Sequence, residues 1–322
     1  MAGIVGQGTT FNLPNFVGEL FSISPTDTPL ITAIGGLTGG EQTNAKRFEW
    51  SFYDLRDASD RARLEGADAP DPENRVRAFD HNVVQIVHES VEVSYTKQAA
   101  VGQMDADVLT PGASNVQNEM AWQSAQALTQ IARDLEYAFI NGTFAEPSTN
   151  ATPRKTRGLL EAITTNVTDL NGATLTRVLF EDLLQDIWDN GGIAAGETRT
   201  VIVNSTLKRQ LTKAYITDAG YTPTTANVGG ANVVRIETDF GLLNIMLNRY
   251  MPVDELAVVS LEELAPVFLM IPGKGFLFQE PLGKTGSADA EQIYGEVGLA
   301  YGAEFHHGKI VNVGSDFGSA SS

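Results

Sequence analysis

Cysteine is absent from the 322 residues. That removes disulfides, thiolate zinc sites, iron–sulfur clusters and a cysteine nucleophile from consideration. Histidine is nearly as scarce: His81, His88, His306 and His307 are the only four, and none falls in H-E-x-x-H or H-x-H spacing. Adjacent residues on a strand point to opposite faces, so the His306–His307 pair does not by itself make a metal site. Cations are in short supply, with 22 Lys and Arg against 40 Asp and Glu, a formal net charge of -18 and a pI near 4.5. Such a surface repels phosphate backbones and anionic lipid, which argues against a nucleic-acid or membrane binder held by charge. No apolar run approaches the length of a membrane span. The N-terminal MAGIVGQGTTFNLPNF lacks a basic segment followed by an apolar one, so a soluble, non-secreted protein is expected. No period of 20 to 50 residues repeats, which excludes solenoids and propellers.

What is present is long enough for one large domain or two ordinary ones. The first forty residues are rich in Gly, Thr and Pro and almost free of charge, yet they carry Phe11, Leu13 and Phe16. Such a stretch cannot form a core alone and is too apolar to stay solvated. It is expected to lie as an extended arm, on its own domain or on a neighbour. KRFEWSFY (46–53) alternates, placing Phe48, Trp50 and Phe52 on one face of a strand, and a second strand is expected over His81–Tyr95. Between them, Asp54 to Asp80 holds eight acidic residues and the five arginines Arg56, Arg61, Arg63, Arg75 and Arg77, with turn signals at Pro70 and Pro72. The pattern predicts a long hairpin with a charged tip. Its arginines either decorate a solvated loop or pair with carboxylates of a neighbour.

Ser114 to Ile140 is the strongest helical segment. Val116, Met120, Leu128, Ile131, Leu135 and Phe139 recur at helical spacing, Ser114 suits the N-cap, and Asn141-Gly142 supplies the stop. At 1.5 Å per residue it would be about 40 Å long. After RGLLEAI the spacing predicts a helix over 176–190, a strand over 200–203, a helix opened by Ser205, paired strands over 233–237 and 242–247, and the short strands LAVVS and VFLMI. The C-terminal QIYGEVGLAYGAEFHHGKIVNV reads as strand and hairpin.

No catalytic constellation emerges. Gly283-Lys284-Thr285 ends like a phosphate loop, but Phe278 stands where its first glycine is needed. Asp239-Phe240-Gly241 and Asp316-Phe317-Gly318 spell the kinase magnesium tripeptide without the accompanying glycine-rich loop or H-R-D, and read as turns. No G-x-S-x-G elbow exists for a hydrolase serine. Asp105, Asp107, Glu262 and Glu263 are read as solvated acids, and no cofactor or metal is expected.

An acidic, cysteine-free chain with an arm, a charged hairpin and a spine helix has the profile of an assembly protein. In that order its elements resemble the major capsid protein of tailed bacteriophages. The stretches NVVQIVHESVEVSYT, ALTQIARDLEYAFING, IETDFGLLNIMLNRYMP and EPLGKTGSADAEQIYGEVGLAYGAEFHHGKI look like a subfamily common among phages of actinobacteria. The resemblance covers nearly the whole chain. A tail-tube or decoration subunit, an encapsulin-like cellular shell and an enzyme without a recognisable motif are the competing readings.

The resemblance implies an α+β capsid fold. It would comprise an N-terminal arm (1–40), an extended β-hairpin loop (41–98), a peripheral domain with the spine helix (99–158 and 256–322) and an axial α/β domain (159–255). It implies hexamers and pentamers of this polypeptide tiling an icosahedral shell around packaged double-stranded DNA that is bound without sequence preference. Assembly would take place in the host cytoplasm and end in the virion. A separate scaffolding protein is expected because the chain begins almost at the arm, together with a portal and a cement protein, and no membrane. Intersubunit contacts are expected at Arg56, Arg61, Arg63, Arg75, Arg77, Phe11, Leu13 and Phe16. Some relatives weld subunits through a loop lysine, but no lysine lies between Lys46 and Lys97, which are placed near the hairpin base. A non-covalent shell is therefore expected.

Overall fold

The computed structural model describes residues 24–99, 119–193, 198–219, 224–228, 231–284 and 286–314. Phe11, Leu13, Phe16, Ser114, Asp105, Asp107 and the tripeptide at 316–318 lie outside the described residues.

In chain order the elements are α1 (Pro29–Ala33), β1 (Glu41–Thr43), β2 (Arg47–Tyr53), β3 (Arg77–Val83), β4 (Gln85–Ser94), α2 (Tyr95–Ala99), α3 (Glu119–Asn141), α4 (Leu159–Ala162) and β5 (Val167–Asp169). There follow α5 (Arg177–Asp189), β6 (Arg199–Val203), α6 (Ser205–Ala219), β7 (Thr224–Val228), β8 (Ala231–Thr238) and β9 (Gly241–Leu247). The last are β10 (Leu256–Ser260), β11 (Ala265–Leu269), β12 (Leu277–Pro281), β13 (Ala288–Ala300) and β14 (Gly308–Val311), with 3₁₀ turns at Leu261–Glu263 and Glu304–His306. The chain divides into two compact units. Among the described residues no helix is long and apolar enough to cross a membrane.

The larger unit comprises Thr28–Val87, Asp134–Phe276 and the chain from Gly295 on. Its main sheet runs β5-β14-β10-β6-β9-β8-β7. The β6–β9 and β5–β14 pairs are parallel and the rest antiparallel. Alternate residues of its strands, Val201 and Val203, Leu243 and Ile245, Leu256 and Val258, with Ile310, face one layer made by α5 and α6. These helices bury Phe180, Leu183, Leu184 and Ile187 on one side and Leu207, Leu211 and Tyr215 on the other. The 3.6-residue spacing read from the sequence therefore becomes the core of this unit. Thr176 caps α5 by accepting from the Leu179 N–H, and Asn204, not Ser205, caps α6 by accepting from Thr206 and Leu207. The Asp239-Phe240-Gly241 tripeptide is the β8–β9 turn. Gly241 has φ +109°, and a Cβ there would lie 2.4 Å from the Arg199 guanidinium, which donates to the Phe240 carbonyl at 2.8 Å.

The smaller unit takes in His88–Arg133 and Leu277–Tyr294. There β12 and β4 flank the first half of β13. In the larger unit the second half of β13 pairs antiparallel with β11, whose other side takes β1 in parallel. The described part of the spine helix starts at Glu119 and stops at Asn141, where the Gly142 N–H returns to the Ala138 carbonyl at 2.8 Å. Lys284 pairs with Asp289 at 2.9 Å and lies over the Tyr95 ring, which gives the apparent phosphate-loop lysine a structural partner.

Two sequence expectations need correction. The hairpin's returning strand is Arg77–Val83 and not His81–Tyr95. The chain breaks at buried Val84, whose N–H bonds the Lys46 carbonyl at 3.0 Å, and β4 then joins β13. The C-terminal run is no hairpin either, because β13 and β14 belong to different sheets, separated by the turn at 304–306. In both cases alternation identified strands without identifying their partners, which are set by long-range packing.

Candidate assembly surfaces

The β2–β3 ribbon has two unlike faces. Register places Phe48 opposite Asn82, Trp50 opposite Asp80 and Phe52 opposite Ala78 on the inner face. Trp50 packs edge-on against Tyr301 at 4.8 Å and donates its indole N–H to the Gly302 carbonyl at 2.6 Å. Phe52 meets Phe305 at 6.0 Å. Phe48 lies so close to Gly298 that a Cβ there would stand 2.7 Å from its ring.

Polar groups beneath the ribbon form a connected network. Arg157 donates to the Tyr301 hydroxyl at 2.6 Å, and that hydroxyl donates to Asp80 at 2.8 Å. Burial, then the Asp80 carboxylate, push the Tyr301 phenol well above its ordinary value. Asn82, fully buried, donates to the Leu299 carbonyl at 2.7 Å and accepts from the Arg157 and Val83 N–H groups, each at 2.8 Å. Arg154 donates to the Val84 carbonyl at 2.7 Å and pairs with Glu296. The turn carrying Gly302 and Phe305 rests on Glu263, which takes hydrogen bonds from His306 at 2.5 Å and the Ala303 N–H at 3.0 Å. Burial alone would raise Glu263, but these bonds outweigh it and hold the carboxyl below its ordinary 4.5. The ribbon's root is therefore rigidly specified.

The outer face is covered near the root, where Val83 is buried and His81 meets Phe144 at 5.5 Å, and open towards the tip. Tyr53 is 67% and Phe79 64% exposed, and they are diagonal neighbours across the two strands. Beyond them the 23 residues from 54 to 76 form no helix or strand, and Leu55, Leu64 and Val76 are exposed along the segment. Its arginines are gathered within the loop. Arg61 at 2.7 Å, Arg75 at 3.3 Å and Arg56 at 3.5 Å converge on Glu73, and Arg63 donates to the Asp68 carbonyl at 2.7 Å. The Arg61 hydrogen bond, helped by Arg75 and Arg56, holds Glu73 below the ordinary carboxylate range. Arg77 stands apart, on β3 opposite Tyr53. Lys46 lies at the ribbon base, where it lines a cleft of about 280 Å³ with Glu146 and Asn150. Lys97 does not: it sits on α2 in the smaller unit and pairs with Glu119 at 2.7 Å.

A second anchor escaped the sequence reading. Helix α1 begins with Pro29, which has no N–H, and Thr28 makes no side-chain cap, so the N–H groups of Leu30 and Ile31 would be left unpaired. Glu136 of α3, fully buried, accepts both at 2.8 Å and the Asn248 amide at 2.5 Å. A carboxylate some hundred residues away thus caps a helix within the expected arm (1–40), whose residues 29–33 pack on their own copy. Its signal was available, since Glu136 stands one turn before the buried Ile140 on the same helix face.

Among the described residues no three His, Asp or Glu side chains gather as a metal centre. No curated protein sequence matches the chain. Solved structures share its fold. The cyanophage A-1(L) capsid asymmetric unit aligns with TM-score 0.68 and 10% identity over 93% of this chain and 96% of that one. A chain of Mycobacterium phage Bobi gives 0.56 and 12% over 93% and 96%. The holo-SrpI encapsulin complex from Synechococcus elongatus PCC 7942 gives 0.59 and 14% over 97% and 95%. At such identities the likeness concerns the fold alone. The sequence is more decisive: residues 3–314 match the SU10 major capsid protein profile, and a match of that length places this chain in the SU10 major capsid protein family.

Proposed function

We propose that this structural, non-enzymatic virion protein assembles as hexamers and pentamers into a closed icosahedral shell around double-stranded DNA, with residues 1–40 as an arm and 41–98 as an extended loop, parts of which reach neighbouring copies. The peripheral part would be 99–158 with 256–322, and the axial part 159–255. The observation that carries this reading is the two-faced ribbon: one face locked by Trp50, Asp80 and Asn82, the other presenting exposed Tyr53 and Phe79 beside an arginine-rich loop. Aromatics and arginines are what protein interfaces favour, and in a chain of charge -18 arginines have carboxylates to meet on any neighbour.

Arg56, Arg61, Arg63, Arg75 and Arg77, with Phe11, Leu13 and Phe16 of the arm, are the proposed contact residues. The same acidity leaves the shell with few cations to hold phosphates, so packaged DNA can move against it. Scaffolding, portal and cement proteins and assembly in the host cytoplasm belong to this proposal on the strength of the family resemblance.

Trypsin tests the loop's part. In dissociated subunits the segment 54–76 should be cut rapidly at its arginines, while in particles it should be protected by at least about tenfold, because an ordered contact must open before cleavage. Equal rates in both states would remove the loop from the interface.

A further inference from the structure

The two helices that cover the main sheet carry outer stripes of opposite sign. On α5, Asp182, Asp186 and Asp189 recur at i, i+4 and i+7 and are all exposed, and Trp188 on their flank is 52% exposed. An indole left that open at the edge of a face that buries Phe180, Leu183 and Ile187 is a typical interface anchor. On α6, Arg209 and Lys213 recur at i and i+4, both exposed, with half-buried Lys208 beside them. Three cations within six residues are conspicuous in a chain with 22 in all. Any two surfaces of so acidic a chain repel on average, and a basic stripe is the place where a second copy's acidic stripe is tolerated.

We propose that the acidic stripe of α5 and Trp188 of one copy seat on the Arg209–Lys213 stripe of α6 in the next copy. The contact is heterologous, since two different surfaces meet, and repeated head to tail it generates a ring. Carboxylates and an indole face both accept cations, the latter through its π-surface. Long lysine and arginine side chains keep such contacts over a range of angles, whereas interdigitated apolar packing would fix one. That tolerance suits rings of five and six built from one chain. The inference rests on the capsomer reading above and assigns it a contact.

Charge reversal separates the two. In the full-length chain, Arg209→Glu with Lys213→Glu makes both stripes acidic, and Asp182→Lys, Asp186→Lys and Asp189→Lys make both basic. Each variant alone should stay folded by circular dichroism and lose assembled material by about tenfold or more in sedimentation. Mixing the two in equal amounts should restore rings, because every contact between unlike copies is again of opposite sign. Six-membered rings should recover better than five-membered ones, since an odd ring cannot alternate. Trp188→Ala should weaken assembly in the wild-type background. If the wild type assembles and both reversed variants assemble equally well alone, this contact is wrong and the shell reading stands. Rescue by combining both reversals in one chain, without rescue by mixing, would place the pairing within a copy and overturn the inference. A wild type that forms no rings under any condition would remove both.

Discussion

Replacing Glu136 with Ala should be among the most damaging single changes in the larger unit. The substitution leaves three donors without an acceptor: the Leu30 and Ile31 N–H groups and the Asn248 amide, in residues that are themselves almost wholly buried. An orphaned buried donor costs about 1–3 kcal/mol, so three amount to roughly 3–9 kcal/mol. The loss is reduced because the variant no longer buries a carboxylate, and a net destabilisation of about 3–5 kcal/mol is expected. Against a total stability of about 5–15 kcal/mol, that is a large fraction. Glu136→Gln should be intermediate. Leu30 and Asn248 bond one oxygen and Ile31 the other, so an amide nitrogen must confront at least one donor. Urea denaturation gives the magnitude, and amide hydrogen exchange gives the place, with Leu30 and Ile31 losing protection before the sheet does. A Glu136→Ala chain within about 0.5 kcal/mol of wild type, or one with both amides still protected, would refute the idea that this carboxylate caps α1.

Other outcomes follow from the same geometry. Replacing Arg56, Arg61 and Arg63 together with Ala removes two of the three arginines on Glu73 and the Arg63–Asp68 bond, all exposed contacts that solvent screens. The subunit should therefore melt as before but yield fewer particles, whereas normal yield and salt resistance would exclude these side chains from assembly. Acid should act through Glu263 and Glu304, both held below their ordinary 4.5 by hydrogen bonds that outweigh burial. The stability they contribute is complete above that value and is lost as pH falls through their lower folded values. Tm should thus hold steady down to about pH 5 and drop below it, and Glu263→Gln should flatten the drop; an unchanged acid limb would contradict the assignment. Mature particles boiled in detergent should run as a single band at 34.6 kDa. A covalent ladder mapped to Lys46, in the cleft with Glu146 and Asn150, would overturn the non-covalent reading.

Much of the fold was legible because local chemistry and tertiary structure agree in it. The spacing of Leu179, Leu183 and Ile187 locates α5, the Asn141-Gly142 stop ends α3, and the alternation of Phe48, Trp50 and Phe52 gives the ribbon its inner face. Pairing was not legible. Nothing local distinguishes residues 77–83, which return along β2, from 85–94, which leave for β13, because the break depends on Val84 being buried and on Arg154 reaching its carbonyl. The same holds for the assembly surfaces. The arginines of the loop could be counted, but their convergence on Glu73 and the exposure of Tyr53 and Phe79 depend on register. Glu136 shares a helix face with Ile140, but that it caps the first turn of α1 is set by packing across some hundred residues of chain.

Electron microscopy of the purified, overexpressed chain tests the central claim most directly. The account predicts closed shells of uniform size, whose reconstruction shows five- and six-membered rings with residues 54–76 resting on an adjacent copy. Tubes, or a monodisperse monomer under all conditions that permit assembly, would contradict it.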